Sequence, residues 1–316
     1  VGLFLLLALG LNIVVGLAGL LDLGYVAFFA VGGYTTSVLT SSNSPFFAPE
    51  WHFGIALLFV VVMAALAGLV IGAPVIRMRG DYLAIVTLGF GEIVRLLFLS
   101  DWLKPYFGGS QGITKVNPVE LGPFKVQGSD PRSVFYLVLA FCVLAIYVSW
   151  RLQGSRLGRA WMATREDEQV AEAMGINTVN AKLMAFVVGA TMAAFSGAVL
   201  AAKVGSVFPK SFEILVSIII LVVVIVGGMG NIAGVMVGSL VLIGILGGPR
   251  QPGLLQEFQS YKLLIYGALL VFMMLKRPEG LVPSARRSRE LHQDEYLQDA
   301  WLGDDAESEG DQGAPS

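Results

Sequence analysis

Apolar runs long enough to cross a lipid bilayer recur along this chain. The run at 53–76 contains no charged residue, and a helix needs about 20 apolar residues to span the hydrocarbon core. Only 14% of the 316 residues are charged, whereas soluble domains are about a quarter charged. Because a helix satisfies all its backbone polar groups internally, the sequence predicts an all-α polytopic membrane protein.

The apolar runs divide the chain into about nine predicted transmembrane helices, with broken or re-entrant segments allowed among them. They cover residues 1–17, 25–39, 53–76, 82–100, 133–150, 183–202, 214–226, 232–246 and 261–275. We expect residues 1–283 to form the membrane domain, with its longest helix-patterned polar loop at 151–182. The acidic, Gly- and Ser-rich remainder, 284–316, is predicted to be a disordered cytoplasmic tail.

The distribution of Lys and Arg predicts the orientation of the chain, because cytoplasmic loops are enriched in both. The stretches 77–81, 151–182 and 276–289 are basic, whereas 41–52 has no Lys or Arg and 101–132 has few for its length. With one crossing per segment, all three basic stretches fall on one side. This predicts a cytoplasmic C-terminus and an external N-terminus. An additional upstream helix would place the N-terminus inside and leave the rest of the topology unchanged. No signal peptide is expected at Val1.

Two regions, 11–33 and 221–242, share a pattern of a short apolar run, a Gly-rich break and a second short run. Paired broken helices often line a transport path. Small residues spaced four apart, as at Gly68 and Gly72, instead allow close helix packing. Both interpretations remain open from the sequence and are compatible.

Glu92, Arg95 and Asp22 are charged residues in or beside the apolar segments. Glu92 and Arg95 are three residues apart, so they share one helix face. Charges in a bilayer are costly and usually face the protein interior. The pair is therefore either a structural ion pair or part of a polar transport path. Asp22, in the first Gly-rich break, has the same two interpretations or caps a helix at the cytoplasmic interface.

Soluble enzyme chemistry is not indicated. The sequence Gly-Met-Gly-Asn-Ile-Ala at 228–233 fits a dinucleotide-binding pattern, but a Rossmann turn needs a soluble βαβ unit and a following acidic residue. No P-loop occurs, and the two histidines lie outside the predicted spans without a zinc-binding spacing. We expect no catalytic residue, no metal, no cofactor and no nucleic-acid partner.

The loop at 151–182 is predicted to carry a helix over residues 165–174. Thr164 to Asp167 resembles a capping box that opens it, and Gly175 suits the left-handed residue that ends it. Asn177, Thr178 or Asn180 is expected to cap the next span. From these residues alone, the helix is either a connecting interfacial helix or a docking site for a cytoplasmic motor.

Several stretches resemble a known family. Residues 172–176 (EAMGI), with 158–160 and 165–167, look like the coupling loop of bacterial ATP-binding-cassette importer permeases. Residues 77–95 (RMRGDYLAIVTLGFGEIVR), 11–30 and 226–231 resemble branched-chain amino acid permeases of the LivM type. The resemblance covers about residues 1–283.

This resemblance implies a permease that moves leucine, isoleucine and valine across the bacterial inner membrane. It implies a second related permease, two cytoplasmic ATPases that use the ATP, and an extracytoplasmic binding protein. The residues implied in ATPase coupling are Arg165, Asp167, Glu172, Ala173, Met174 and Gly175. Two alternatives are the same importer class for urea, short amides or another small polar metabolite, and a secondary carrier or channel.

Overall fold

The computed structural model describes residues 1–45, 49–76, 78, 80–121, 124–126, 130–248, 253–254, 260–277 and 280–282. The predicted tail at 284–316 and the arginines of the 77–81 turn lie outside the described residues. The described helices are α1 Gly2–Leu11, α2 Val26–Thr40, α3 Phe53–Val75, α4 Asp81–Leu99, α5 Lys104–Phe107, α6 Pro131–Gln153, α7 Arg156–Glu166, α8 Glu168–Ala173, α9 Thr178–Val204, α10 Ile214–Gly227, α11 Ile232–Gly238 and α12 Lys262–Lys276.

The predicted apolar segments correspond to helices whose ends lie within about five residues of the prediction. Among the described residues, five helices are long and apolar enough to cross a membrane: Phe53–Val75, Tyr82–Leu99, Pro131–Gln153, Thr178–Val204 and Pro209–Gly227. Shorter apolar helices cover Gly2–Leu17, Val26–Thr40 and Ile232–Leu246. The chain is therefore an α-helical, multi-pass membrane protein.

Two of the shorter apolar helices are partly π-helical. Helix α1 continues as a π-helix over Asn12–Leu17, and α11 continues as one over Ser239–Leu246. Each belongs to one of the two regions with the Gly-rich break. π-Helical turns inside α-helices occur frequently at functional sites. The regions that contain the two breaks are therefore candidates for the functional site.

Helix α9 lies at the centre of the bundle and packs against α1, α2 and α3. A Cβ added at Gly32 of α2 would stand 2.1 Å from the carbonyl oxygen of Ala194, and one added at Gly197 of α9 would stand 2.1 Å from that of Phe29. Gly68 of α3 likewise lies against the backbone of α9. Small residues here let backbones approach where lipid gives no hydrophobic driving force between helices, so close packing explains these glycines.

The all-α prediction is incomplete, because the loop at 101–132 contains short strands. Strand β1 Ile113–Thr114 pairs with β4 Ser206–Val207, and β2 Val119–Leu121 pairs antiparallel with β3 Phe124–Val126. A long loop folded against the bundle must pair its backbone polar groups. Strand β1 pairs with a segment about ninety residues later in the chain. Strands this short show no alternating pattern in the sequence from which they could be predicted.

The bundle has two ends with different chemistry. At the end that we call the β end, segments 41–45, 101–121 and 205–213 meet through the β1–β4 pair and a bridge between Ser41 and Val116. At the opposite, arginine-rich end, segments 17–25, 151–182, 227–231 and 280–282 meet. The basic loop at 151–182 therefore lies at the opposite end from the two loops that have few or no Lys and Arg residues, as the topology prediction requires.

Candidate functional site

The two Gly-rich breaks touch each other at the arginine-rich end. The backbone N–H of Gly230 donates to Oδ1 of Asn12 over 2.8 Å, and this contact is buried. A Cβ added at Gly16 would stand 2.5 Å from the Gly230 nitrogen. Gly230 itself has a φ of +81°, which favours glycine. Glycine is required at position 16 because a side chain there would separate the two breaks, and it is favoured at position 230 by the positive φ.

Two further polar side chains join the same contact. Arg165 Nη1 donates to the carbonyl oxygen of Gly16, and Gln153 Nε2 donates to the carbonyl oxygen of Gly230 over 3.3 Å. We name Asn12, Gly16, Gln153, Arg165 and Gly230 the polar junction. The junction ties the ends of α6 and α7 to both breaks through backbone groups that the broken helices leave without a helical partner.

Helix α7 is also fixed to the bundle by Trp161. The Ser155 hydroxyl accepts from the Gly158 N–H over 3.1 Å and caps the helix. Trp161 is fully buried, and its Nε1 donates to the carbonyl oxygen of Ala181 in α9 over 2.7 Å. A buried tryptophan with its N–H satisfied combines a large apolar contact with a directional one. Displacement of α7 therefore acts directly on α9 and on the junction.

The predicted helix at 165–174 has different bounds. Thr164 does not cap it, because Thr164 lies inside α7 and its hydroxyl donates to Ala160 O over 2.8 Å. The chain breaks at Asp167, whose φ is −151° and ψ 116°, and its Oδ1 accepts from the N–H groups of Gln169 and Val170 at 2.8 and 3.0 Å. Helix α8 therefore spans only Glu168–Ala173.

The C-terminal end of α8 and the N-terminal end of α9 agree with the sequence prediction. Gly175 has a φ of +85° and its N–H donates to Glu172 O over 2.9 Å, which is a left-handed helix end. Asn177 is the residue that caps α9, because its Oδ1 accepts from the Asn180 N–H over 2.9 Å.

Helix α8 is held to α9 on one side and exposed on the other. Lys182 Nζ forms an ion pair with Glu168 Oε1 at 2.5 Å, and the Thr178 hydroxyl donates to Glu172 Oε1 over 2.7 Å. The side with Ala173 and Gly175 is exposed, and Val170 and Met174 have exposed fractions of 58% and 78%. Val170 and Met174 are four residues apart, so they lie on the same side of the chain and form a small exposed apolar surface.

Asp22 lies in the first break and is almost completely buried, with an exposed fraction of 1%. Its Oδ1 accepts from the Gly24 N–H over 2.9 Å, and Oδ2 has no hydrogen-bond partner among the described residues. Thr87 of α4 accepts from the Leu23 N–H over 3.1 Å. Burial raises the pKa of Asp22 to about 7, and the hydrogen bond from the Gly24 N–H opposes this rise.

The structure brings Glu92 and Arg95 together on α4, toward the β end. Arg95 Nε donates to Glu92 Oε2 over 2.9 Å, and Arg95 Nη2 completes an ion pair with Oε1. Both side chains are partly exposed, and Glu213 at the start of α10 lies within electrostatic reach of Arg95. The pair is therefore distant from the polar junction and belongs to the other end of the bundle.

Sequence reasoning identified Arg165 but not its partners. Asn12 was visible as the one strongly polar side chain of the first apolar segment, which is a usable signal because polar residues in spans are usually paired. Gln153 and the carbonyl groups of Gly16 and Gly230 gave no signal of their own. Among the residues that the structure describes, no group of three His, Cys, Asp or Glu is arranged to hold a metal ion.

Comparison with known proteins agrees with this architecture. Residues 1–274 match the family described as branched-chain amino acid transport system, permease component. The chain is 39% identical over 309 residues to the LivM permease of Escherichia coli K12, covering 91% of this chain and 69% of that protein. It is 26% identical over 293 residues to the LivH permease of Salmonella typhimurium, covering 88% and 91%.

A probable LivM permease of Methanocaldococcus jannaschii is 26% identical over 300 residues, covering 86% of this chain and 84% of that protein. No solved structure matches the chain. The match to the family extends over both breaks, the polar junction and helix α8. This chain therefore belongs to the family of branched-chain amino acid transport permeases.

Proposed function

We propose that this chain is one of two permease subunits of an ATP-binding-cassette importer that carries leucine, isoleucine and valine across the bacterial inner membrane. Each apolar segment crosses the membrane once, and the arginine-rich end and the C-terminus face the cytoplasm. The β end faces outward and receives substrate from an extracytoplasmic binding protein. The names of the LivM relatives support this cargo over urea or short amides.

The observation that carries this proposal is the connection from an exposed helix to both breaks. Val170 and Met174 of helix α8 are exposed, and in this proposal they face the cytoplasm. Helix α7 lies directly before α8, and its Arg165 donates to the carbonyl group of Gly16. A secondary carrier or channel needs no such docking element. The proposed importer has two ATPase subunits for its two permeases. An ATPase subunit binds α8 of this chain, and Arg165, Asp167, Glu172, Ala173, Met174 and Gly175 transmit or hold that contact.

In this mechanism the chain hydrolyses nothing, and ATP is bound by the partner subunits. Closure of the ATPases displaces α8 and α7, and the polar junction passes the displacement to the two breaks. The ATPases and the loaded binding protein must bind the inward- and outward-facing states unequally, because only differential affinity shifts such an equilibrium. The second permease is expected to be of the LivH type, since this chain is similar to both types.

The test is reconstitution of this subunit with ATPases, a second permease and a binding protein from the same organism. We expect the subunits to copurify, and proteoliposomes to take up labelled leucine only with ATP and the binding protein. Uptake that persists without ATPases would establish a carrier or channel instead. Uptake of urea or acetamide in preference to leucine would reject the proposed cargo.

A further inference from the structure

A cavity of about 250 Å³ opens at the β end between α1, α2, α9 and α10. Its floor is apolar and includes Leu7, Phe29 and Val216, which are all buried. Typical pockets for drug-sized ligands begin at about 300 Å³, so this cavity suits a smaller molecule. The floor alone would accept any compact aliphatic group.

The rim of the cavity carries both signs of charge. Lys210, Ser211 and Glu213 all line it, and they come from the short turn Pro209–Phe212 and the first residues beyond it. Glu213 is also within electrostatic reach of Arg95. An ammonium group, a hydroxyl and a carboxylate beside an apolar floor are complementary to a molecule with an anionic group, a cationic group and an aliphatic side chain.

The rim is held on rigid elements. Phe212, within the turn, is fully buried, and its ring packs against that of Phe29 with a centroid distance of 5.0 Å. Just before the turn, β4 pairs with β1, with Val207 opposite Ile113. The charged rim therefore keeps a fixed position over the apolar floor, which is the requirement for recognition rather than general attraction.

We propose that this cavity binds an aliphatic L-α-amino acid as a zwitterion, forming an outward-facing subsite of the permease itself. Glu213 receives the α-ammonium group, Lys210 and Ser211 receive the α-carboxylate, and Leu7, Phe29 and Val216 contact the side chain. The substrate class rests on the proposed function. The binding protein therefore hands its cargo to a site in this chain rather than to an open, featureless channel.

The test is protection of a cysteine at the rim. The Ser211→Cys variant is assembled with the partner permease and ATPases in lipid nanodiscs, without binding protein, and labelled with a hydrophilic maleimide. The native Cys142 is buried, and labelling is read on the peptide that carries position 211. L-Leucine is expected to slow labelling severalfold, and valine and isoleucine to act similarly. A cysteine at Ser100, also at the β end, is the control and is expected to label at a constant rate.

Two analogues and one variant separate the parts of the proposed contact. 4-Methylpentanoate lacks the ammonium group and 3-methylbutylamine lacks the carboxylate, so neither is expected to protect at leucine concentrations that do. Adding Glu213→Gln is expected to raise the protecting leucine concentration about tenfold or more, as for loss of one charged hydrogen bond. Glu213→Asp is expected to restore part of the affinity, which a purely structural role would not predict.

The outcomes that overturn the proposal are specific. Equal labelling with and without leucine, or no labelling of position 211 at all, shows that the cavity is not an accessible amino acid site. Equal protection by 4-methylpentanoate and leucine shows an apolar site for an acyl chain. The readout is independent of transport: protection without ATP-driven leucine uptake rejects only the proposed function, and uptake without protection rejects only this subsite.

A second variant tests the floor without touching charge. Val216→Phe fills the cavity, whereas Ile218→Phe adds the same ring on the same helix at a residue with an exposed fraction of 41%. Only the first is expected to raise the KM for leucine uptake, and more for leucine than for the smaller valine. Equal KM values for the two variants would contradict the assignment of the floor.

Discussion

Arg165 donates a hydrogen bond to the backbone carbonyl of Gly16, 149 residues earlier in the chain. Arg165 lies in the last turn of α7, the helix that precedes the exposed α8, and Gly16 lies in the π-helical part of the first break. One side chain therefore joins the segment that includes the exposed α8, the proposed ATPase contact, to the first Gly-rich break. Transmission between distant sites requires an element with two discrete arrangements. In the proposed mechanism this hydrogen bond is made in one state and broken in the other.

We expect Arg165→Ala to uncouple transport from ATP hydrolysis. The variant removes the charged donor to Gly16 but leaves α8 and its exposed surface in place. A hydrogen bond to a charged group contributes about 1.5–3 kcal/mol, so leucine uptake per ATP hydrolysed is expected to fall about tenfold or more. Parallel measurement of uptake and phosphate release in proteoliposomes checks this.

The matched control is Arg156→Ala, which removes an exposed arginine from the first turn of the same helix. It changes the net charge equally and is expected to leave the ratio of uptake to hydrolysis unchanged. If both variants lower the ratio to the same extent, the effect is one of charge on α7 and the hydrogen bond to Gly16 has no role in coupling.

The positions of the helices could be predicted from the sequence because the length of an apolar run determines whether it can span the membrane as a helix. The segment predicted at 214–226 is found as Ile214–Gly227, and the one at 261–275 as Lys262–Lys276. The β1–β4 pair escaped prediction, because two residues on each side carry no periodicity and their pairing is decided by how α9 places Ser206 beside the 101–130 loop.

The candidate site could be predicted only in part. Gly175 was recognisable because a left-handed helix end strongly favours glycine. The cap of α8 was misassigned, since Thr164 and Asp167 are both good cap residues and the choice depends on whether α7 continues through Thr164. The polar junction is built largely from backbone carbonyl and amide groups, which every residue type carries, so only the fold shows which of them meet.

Glu172→Lys is expected to abolish leucine uptake while the protein remains in the membrane. It removes the acceptor for the Thr178 hydroxyl, at 2.7 Å, and reverses the charge on an exposed part of α8. ATPase copurification is expected to fall with uptake, because the docking surface itself is altered. Asn180→Lys also introduces a lysine at an exposed position, on α9, and is the control, although it changes the net charge by one unit and Glu172→Lys by two. Normal uptake in both variants would exclude α8 from docking.

Gly175→Pro tests the same segment through its backbone. Proline fixes φ near −65° and has no N–H, whereas Gly175 has a φ of +85° and donates to Glu172 O. The end of α8 must therefore rearrange, and we expect uptake to be lost. Membrane content is measured by immunoblot and complex assembly by copurification. Full uptake with normal assembly would show that the geometry after α8 is irrelevant to coupling.

Gly197→Ala is expected to destabilise the bundle. The added Cβ would stand 2.1 Å from the Phe29 carbonyl oxygen and 2.6 Å from the Gly33 nitrogen, so α2 and α9 must separate. Overpacking of this kind typically costs about 1–3 kcal/mol. Thermal unfolding in detergent should show a midpoint several degrees below wild type. Gly267→Ala, on α12 with open space around it, is expected to leave the midpoint unchanged, and equal shifts would contradict the packing explanation.

The buried carboxyl of Asp22 predicts a pH dependence of stability. Its pKa rises from 3.8 to about 7 on folding, so the folded state favours the protonated form more than the unfolded state does. Its stabilising contribution is therefore fully present below the unfolded value and is lost as the pH rises through about 7. Asn at this position is neutral at every pH and keeps the acceptor for the Gly24 N–H, so Asp22→Asn removes this dependence.

The measurement compares the thermal unfolding midpoints of wild type and Asp22→Asn between about pH 5 and about pH 8, where folded and unfolded forms of this carboxyl bind protons unequally. All other titrating groups are common to both proteins and cancel in the difference. We expect the midpoint of wild type to fall further with rising pH than that of the variant. Parallel pH profiles would show that Asp22 titrates near its ordinary value, and a steeper fall for the variant would reverse the assigned sign.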